Sequence, residues 1–67
     1  MKKKINKTLK KMELNIEIWY DRSAAQWVIT GTNNNDEYFS KGTGIYKLDM
    51  YNFEQWISMI IWEANKQ

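Results

Sequence analysis

The pattern of apolar and polar positions is clearest in residues 13–20, ELNIEIWY. Successive side chains alternate between two sides, with Leu14, Ile16, Ile18 and Tyr20 on one and Glu13, Asn15, Glu17 and Trp19 on the other. A period of two residues is typical of a strand that buries one face. This segment is therefore predicted to be a half-buried strand.

Two further strands are predicted after the polar segment DRSAA. The segment QWVITGT is rich in β-branched and aromatic residues and places Trp27 and Ile29 on the same face. The following NNND is predicted to be a turn, because Asn and Asp tolerate left-handed backbone conformations. EYFSKGTGIYKL predicts a third strand, interrupted at Gly42 or Gly44 by a bulge or bend.

The C-terminal segment DMYNFEQWISMIIWEANKQ predicts an amphipathic helix. Asp49 is the expected N-cap, and Leu48 and Phe53 have the spacing of a hydrophobic staple. At about 100° per residue, one side of this helix is apolar and is predicted to cover the sheet. That core-facing stripe comprises Phe53, Trp56, Ile57, Ile60 and Ala64, with Met50 and Ile61 at its edges.

Three large side chains of this helix are not explained by covering a sheet. Tyr51, Met59 and Trp62 fall on the far side, near Gln55 and Ser58. They could fold over the helix edge, since single exposed apolar residues are normal. A contiguous aromatic and Met patch, however, usually marks association, so we predict that these residues bind a partner.

The outer face of the predicted sheet is a second candidate surface. It should carry Trp19 and one of Trp27 or Val28, among acids and amides that include Glu17. An aromatic surrounded by polar groups resembles a protein-binding surface more than a solvent-facing one. Trp19 and Glu17 are therefore candidate partner-binding residues as well.

Residues 1–12, MKKKINKTLKKM, are treated separately from the predicted domain of residues 13–67. Ile5, Leu9 and Met12 form one helical stripe, but the segment is too short to hold a helix alone. It is therefore either a frayed basic arm or a short helix docked on the body, and Met12 could be the true translation start. The predicted fold is α+β: a three-stranded antiparallel meander packed on one C-terminal helix (β-β-β-α), with an optional N-terminal helix.

Charge is distributed unevenly along the chain. Residues 1–12 hold six lysines and no acid, a formal +6, whereas residues 13–67 hold four basic and eight acidic residues, a formal −4. Nucleic-acid binding is thus the alternative function, and it would depend on the N-terminal lysines. Those residues are Lys2, Lys3, Lys4, Lys7, Lys10 and Lys11. Double-stranded-RNA-binding domains share the order helix, three strands, helix, but they need lysines where LDMYNFE is acidic here, so that resemblance is not claimed.

Composition argues against catalysis. The chain has no Cys and no His, which removes thiol chemistry, the commonest metal ligand and the usual proton-transfer group. Glu13 and Glu17 lie about 13 Å apart along a strand, too far to act on one bond. NNNDE lacks the spacing of a calcium loop and KGTG lacks that of a phosphate loop. We predict no enzymatic activity, metal or cofactor, and no small-molecule substrate.

The small size and the composition of the chain favour a function in protein binding. A 67-residue chain builds a marginal core, so self-association or partner binding is a plausible source of extra stability. No apolar run approaches a membrane span and no secretory signal is present, so a cytoplasmic location is expected. We predict a small protein-binding inhibitor or regulator that forms a homodimer or binds another protein. The Lys-, Asn- and Ile-rich, proline-free sequence suggests a phage or mobile-element anti-defence factor.

Overall fold

The structure, a computed structural model, describes residues 1–66 and has α+β architecture. Its elements in chain order are α1 (Lys2–Lys11), β1 (Ile16–Asp21), β2 (Gln26–Thr32), β3 (Tyr38–Gly42), a 3₁₀ turn (Leu48–Met50) and α2 (Phe53–Lys66). The strands form one antiparallel sheet in the order β1-β2-β3. The predicted meander with a C-terminal helix is confirmed, and the optional N-terminal helix is present.

The register of the sheet places the apolar side chains on its inner face. Ile18 pairs with Ile29, and the next inward pair is Tyr20 with Trp27, whose rings meet edge-on at 5.4 Å. The alternate residues lie on the outer face, where Trp19 pairs with Val28. Of the two residues predicted beside Trp19, the one on the outer face is therefore Val28 and not Trp27.

Both helices pack against the inner face of the sheet. Ile5 and Leu9 of α1 and Trp56 and Ile60 of α2 are fully buried in one cluster with the inner-face residues. The members of this core are Ile5, Leu9, Ile16, Ile18, Ile29, Phe39, Ile45, Trp56, Ile60 and Ala64. Phe53 and Ile57, predicted as core, are only partly buried, and Met50 at the predicted edge is 61% exposed.

Helix α1 is held to the sheet by a side chain as well as by its apolar stripe. The Asn6 Oδ1 atom accepts a hydrogen bond from the Ile18 backbone N–H at 2.9 Å, and the Asn6 Nδ2 atom donates to the Ile18 carbonyl at 3.2 Å. Because β1 is an edge strand, Asn6 occupies backbone groups that a fourth strand would otherwise pair. Of the two predicted states of residues 1–12, the structure contains the docked helix.

The end of α1 shortens the predicted first strand. The Glu13 and Leu14 N–H groups donate to the Lys10 and Leu9 carbonyls, each at 3.0 Å, which is the hydrogen-bond pattern of a Schellman motif. Glu13 takes the left-handed conformation that this motif requires, with φ of 61°. The strand predicted over residues 13–20 therefore begins at Ile16 and not at Glu13.

The start of α2 also differs from the prediction. Asn52, and not Asp49, caps the helix: its Oδ1 atom accepts from the Gln55 N–H at 2.8 Å, while Gln55 Oε1 accepts from the Asn52 N–H at 2.9 Å. This reciprocal pair is a capping box. Asp49 lies in the preceding 3₁₀ turn.

The hydrophobic staple shifts with the cap. Tyr51 and Trp56 occupy its two positions, with ring centroids 5.9 Å apart and planes at 87°. The Trp56 indole N–H also donates to the Leu48 carbonyl at 2.6 Å, which fixes the turn before the helix. The predicted staple of Leu48 and Phe53 is therefore wrong.

The third strand ends where the glycines begin. β3 stops at Gly42, and Gly44 has a φ of 75°, a conformation that side chains with a Cβ rarely adopt. The strand predicted over residues 37–48 therefore ends at the first of these glycines and does not resume beyond them, although Ile45 returns to the core.

Candidate partner-binding surfaces

The outward side of α2 carries the residues predicted to bind a partner. Trp62 is 57% exposed and Tyr51 37%, whereas Met59 is half-buried because it also packs against the core. Trp62 therefore lies on the side of α2 that faces away from the core, as predicted. Tyr51 also packs against Trp56 as part of the hydrophobic staple, a contact that helical spacing alone does not predict.

Tyr51 and Met59 line one groove on this side of the helix. The groove has a volume of about 430 Å³. Between them lie Gln55 and Ser58, spaced at three and four residues so that they share one side of α2. Glu54 is the one charged residue among those that line it. The groove is therefore mostly uncharged, which keeps the cost of removing it from water low.

Trp62 follows the groove along the helix. It lies three residues after Met59, close to one turn, so the indole stands beside the groove. The Lys66 Nζ atom lies 4.7 Å from the centre of its ring, a cation–π contact at the last turn. We name Tyr51, Gln55, Ser58, Met59 and Trp62 the α2 stripe.

The outer face of the sheet holds Trp19 more tightly than the sequence suggests. The Trp19 indole N–H donates to Thr30 Oγ1 at 2.8 Å, and Thr30 Oγ1 lies 3.2 Å from Ser40 Oγ. Trp19 pairs across the sheet with Val28, which is only 5% exposed. Trp19 is 39% exposed, and its indole N–H already donates a hydrogen bond within the sheet. Its ring also helps to cover the apolar Val28.

Glu17 and Trp19 lie on this outer face and not on the α2 stripe, because both helices pack on the inner face. Glu17 is exposed and pairs with Thr30 in the sheet. The five predicted partner-binding residues therefore belong to two separate surfaces. Tyr38, which is 73% exposed at the start of β3, and Tyr46, which is 58% exposed, are aromatic residues that were not among the predicted sites. Tyr38 is the one that lies at a groove. The alternation that follows the NNND turn would have indicated its outward orientation.

The N-terminal lysines form a cationic face on an ordered helix. All six lysines of α1 are exposed, and among residues 1–66 none of them makes an ion pair with a carboxylate. Five of them, all except Lys2, fall within an arc of about 120° opposite the buried Ile5 and Leu9. The Lys4 Nζ atom lies 4.5 Å from the centre of the Phe53 ring, which links α1 to α2.

A second groove, of about 570 Å³, runs between α1 and one end of the sheet. Lys7 and Lys10 of α1 form one wall, and Tyr38 of β3 contributes to the lining on the sheet side. Asn15 and Glu17 also line the groove. This groove brings together predicted nucleic-acid-binding lysines and an exposed aromatic ring.

Two further features, clusters of metal-binding side chains and membrane-spanning helices, are absent from residues 1–66 of the structure. Within residues 1–66, no group of three or more Cys, Asp or Glu side chains is placed to hold a metal ion. None of the helices in that range is long and apolar enough to cross a membrane.

Comparisons with protein-family models, with curated proteins and with solved structures found no match to this chain.

Proposed function

We propose that this protein is a small non-catalytic protein-binding module, which pairs with a second copy of itself through the α2 stripe. The observation that carries the proposal is Trp62, a residue that is 57% exposed beside a mostly uncharged groove. Tryptophan is among the side chains most enriched at the centres of protein interfaces. An exposed apolar group next to a groove on the same helix favours association.

The groove and Trp62 are complementary to each other. They lie on the same side of α2, with Gln55 and Trp62 separated by about 10 Å along the helix axis. If a second α2 packs antiparallel with a two-fold axis near Ser58 and Met59, each Trp62 enters the groove of the other copy. An interface of this kind is isologous, the commonest arrangement in homodimers. The groove volume of about 430 Å³ is ample for an indole ring.

Charges at the ends of α2 favour the antiparallel orientation. Glu54 is in the first turn and Lys66 in the last. In an antiparallel pair, the first turn of one helix lies near the last turn of the other, so that opposite charges approach at the rim. A parallel pair would bring like charges together. Exposed pairs add about 0–1 kcal/mol each, so they select the orientation more than they strengthen binding.

The same stripe suits a helix of a different protein. Amphipathic helices commonly bind in apolar grooves through anchors at a spacing of three and four residues. Because residues 13–67 carry a formal charge of −4 (four basic against eight acidic residues), we propose that such a target is basic. This chain would then inhibit or regulate that target by occupying its surface.

The test compares two variants of equal exposure. Trp62 and Tyr46 are 57% and 58% exposed, and each is replaced by Glu. A glutamate at position 62 lies four residues before Lys66, a favourable helical pair, so the fold should survive. Sedimentation equilibrium should show dimers for the wild type and Tyr46→Glu, and monomers for Trp62→Glu with an unchanged circular dichroism spectrum.

Two results would count against the proposal. A wild type that remains monomeric up to about 1 mM would remove self-association. A Trp62→Glu variant that still dimerises would move the interface away from α2.

A second candidate function, nucleic-acid binding, is favoured by one specific observation. The six lysines of α1 are exposed, and within residues 1–66 they make no ion pair, on a helix that is anchored in the core by Ile5 and Leu9. A flexible arm would lose conformational entropy when it bound phosphates, whereas this helix is already ordered. Salt-sensitive binding of oligonucleotides would support this candidate, and its absence at low salt would remove it.

A further inference from the structure

The groove between α1 and the sheet unites a cationic wall with an exposed aromatic ring. We infer that it binds a single-stranded segment of nucleic acid, with Lys7 and Lys10 on phosphates and Tyr38 stacked on a base. The inference rests on the second candidate function and assigns it a site and a ligand class. It is independent of the α2 stripe, because the described residues that line this groove belong to α1, the sheet and the segment between them, and not to α2.

The cationic wall is a row and not a single charge. Lys3, Lys7 and Lys10 follow one side of α1 at spacings of four and three residues, a rise of about 6 Å and then about 4.5 Å. Lys7 and Lys10 line the groove directly, and Lys3 continues the row beyond it. None of the three is paired with a carboxylate among residues 1–66, so binding a phosphate there breaks no internal ion pair.

Tyr38 of β3 provides a surface for stacking on the sheet side of the groove. Tyr38 is 73% exposed, the largest exposure among the large apolar and aromatic side chains of the described residues. Every base has a π face, so an exposed ring beside a cationic track is the usual arrangement for single-strand binding. A duplex offers such a ring no unstacked base, which favours a single strand over a duplex.

The negative charge of Glu17 orients the ligand. Glu17 lies in the groove on the sheet side, where its carboxylate repels phosphate. The backbone of the strand is therefore placed along α1, and its base is directed toward Tyr38. Asn15 adds an amide that can hydrogen-bond to a base edge. The groove volume of about 570 Å³ falls within the range of about 300–1,000 Å³ common for ligand sites.

The experiment uses the full chain and a fluorescently labelled oligothymidylate, read by anisotropy as the salt concentration is raised. Lys7→Gln/Lys10→Gln removes the groove pair, and Lys2→Gln/Lys11→Gln removes equal charge from the same helix outside the groove. The groove pair should lower the slope of log affinity against log salt by about 1.4, from about 0.7 per phosphate contact. The control pair should change the slope by less than half as much.

Two tyrosines provide a second matched comparison. Tyr38→Ala should weaken binding about fivefold or more, because base–aromatic stacking contributes at least that much. Tyr46→Ala removes a ring of 58% exposure that does not line the groove, and it should leave affinity unchanged.

Three results would overturn the inference, and they can be told apart. If both lysine pairs reduce binding equally, α1 binds nucleic acid but the groove is not the site. If a duplex of the same length binds as tightly as the single strand, or Tyr38→Ala has no effect, the stacking role is wrong. If the wild type does not bind at low salt, the site and the second candidate function fail together, while the dimer proposal stands.

Discussion

Leu9→Ala tests whether the lysine-rich N-terminal segment is part of the fold. Leu9 is fully buried in the core, where it lies with Ile5 and the inward residues of β1. A frayed arm would tolerate the change, but a docked helix would lose buried apolar contacts and leave a cavity. Lys10→Ala is the control, because it alters an exposed neighbour on the same helix without lowering helix propensity.

The magnitude follows from burial and from the size of the chain. Truncation of a fully buried Leu costs about 2–5 kcal/mol. A domain of 67 residues has a total stability of about 3–10 kcal/mol. The Leu9→Ala variant should therefore be close to unfolding, with a Tm lower by roughly 8–40 °C, since 1 kcal/mol shifts a domain of this size by about 4–8 °C. A chain that begins at Met12 would lose both Ile5 and Leu9 and should not fold.

The assay is urea denaturation followed by tryptophan fluorescence, with Trp56 as a buried reporter. All variants are compared at one protein concentration, because dimer formation makes apparent stability depend on concentration. Lys10→Ala should stay within about 0.5 kcal/mol of the wild type. If Leu9→Ala did the same, α1 would not contribute to the core and the frayed-arm interpretation would be correct.

The remaining predictions concern side chains that bond to backbone. Asn6→Ala should lower the free energy of unfolding by about 1–3 kcal/mol, because it leaves the Ile18 N–H and carbonyl without their side-chain partner; an unchanged urea midpoint would refute this role. Asn52→Ala should cost about 1 kcal/mol as a lost N-cap, whereas Asp49→Ala should cost less than half of that. Equal losses in thermal melts of these two variants would show that the cap is assigned to the wrong residue.

The sheet could be predicted from the sequence because its signals are local. The alternation around Ile16 and Ile18, the Asn-rich turn and the glycines after β3 each specify a strand or its end without tertiary information. The side of α2 that faces the core could also be predicted, since helical spacing places Trp56 and Ile60 together.

The start of α2 was predicted at the wrong residue because the sequence offers two candidate solutions, of which only the second, at Asn52, has a Gln three residues later as a capping box requires. Asp49 and Asn52 are both good caps, and the pairs Leu48–Phe53 and Tyr51–Trp56 have the same staple spacing. The Trp56 hydrogen bond to the Leu48 carbonyl is consistent with the second solution, and it is a tertiary contact that no local pattern reveals.

The N-terminal helix depends on contacts that are distant in sequence. Two apolar residues in a lysine-rich segment cannot hold a helix alone, so its order depends on docking. Asn6 anchors it to Ile18, twelve residues away, and Glu13 ends it in a left-handed conformation for which Gly or Asn would be the usual signal. The groove beside this helix was therefore not predictable, because its walls meet only after α1 has docked.

The central functional claim is that two copies pair through antiparallel α2 helices, and a cysteine crosslink tests it most directly. The chain has no Cys, so Ser58→Cys introduces a single thiol next to the proposed two-fold axis. Facing Cα atoms in packed helices lie about 4–6 Å apart. A disulfide joins two cysteines whose Cα atoms are about 4.4–6.8 Å apart, so these positions can be crosslinked. Ser23→Cys, in the exposed loop between β1 and β2, is the control. We predict that mild oxidation gives a reducible covalent dimer with Ser58→Cys and little with Ser23→Cys. Equal crosslinking of both variants, or none at position 58, would contradict the account.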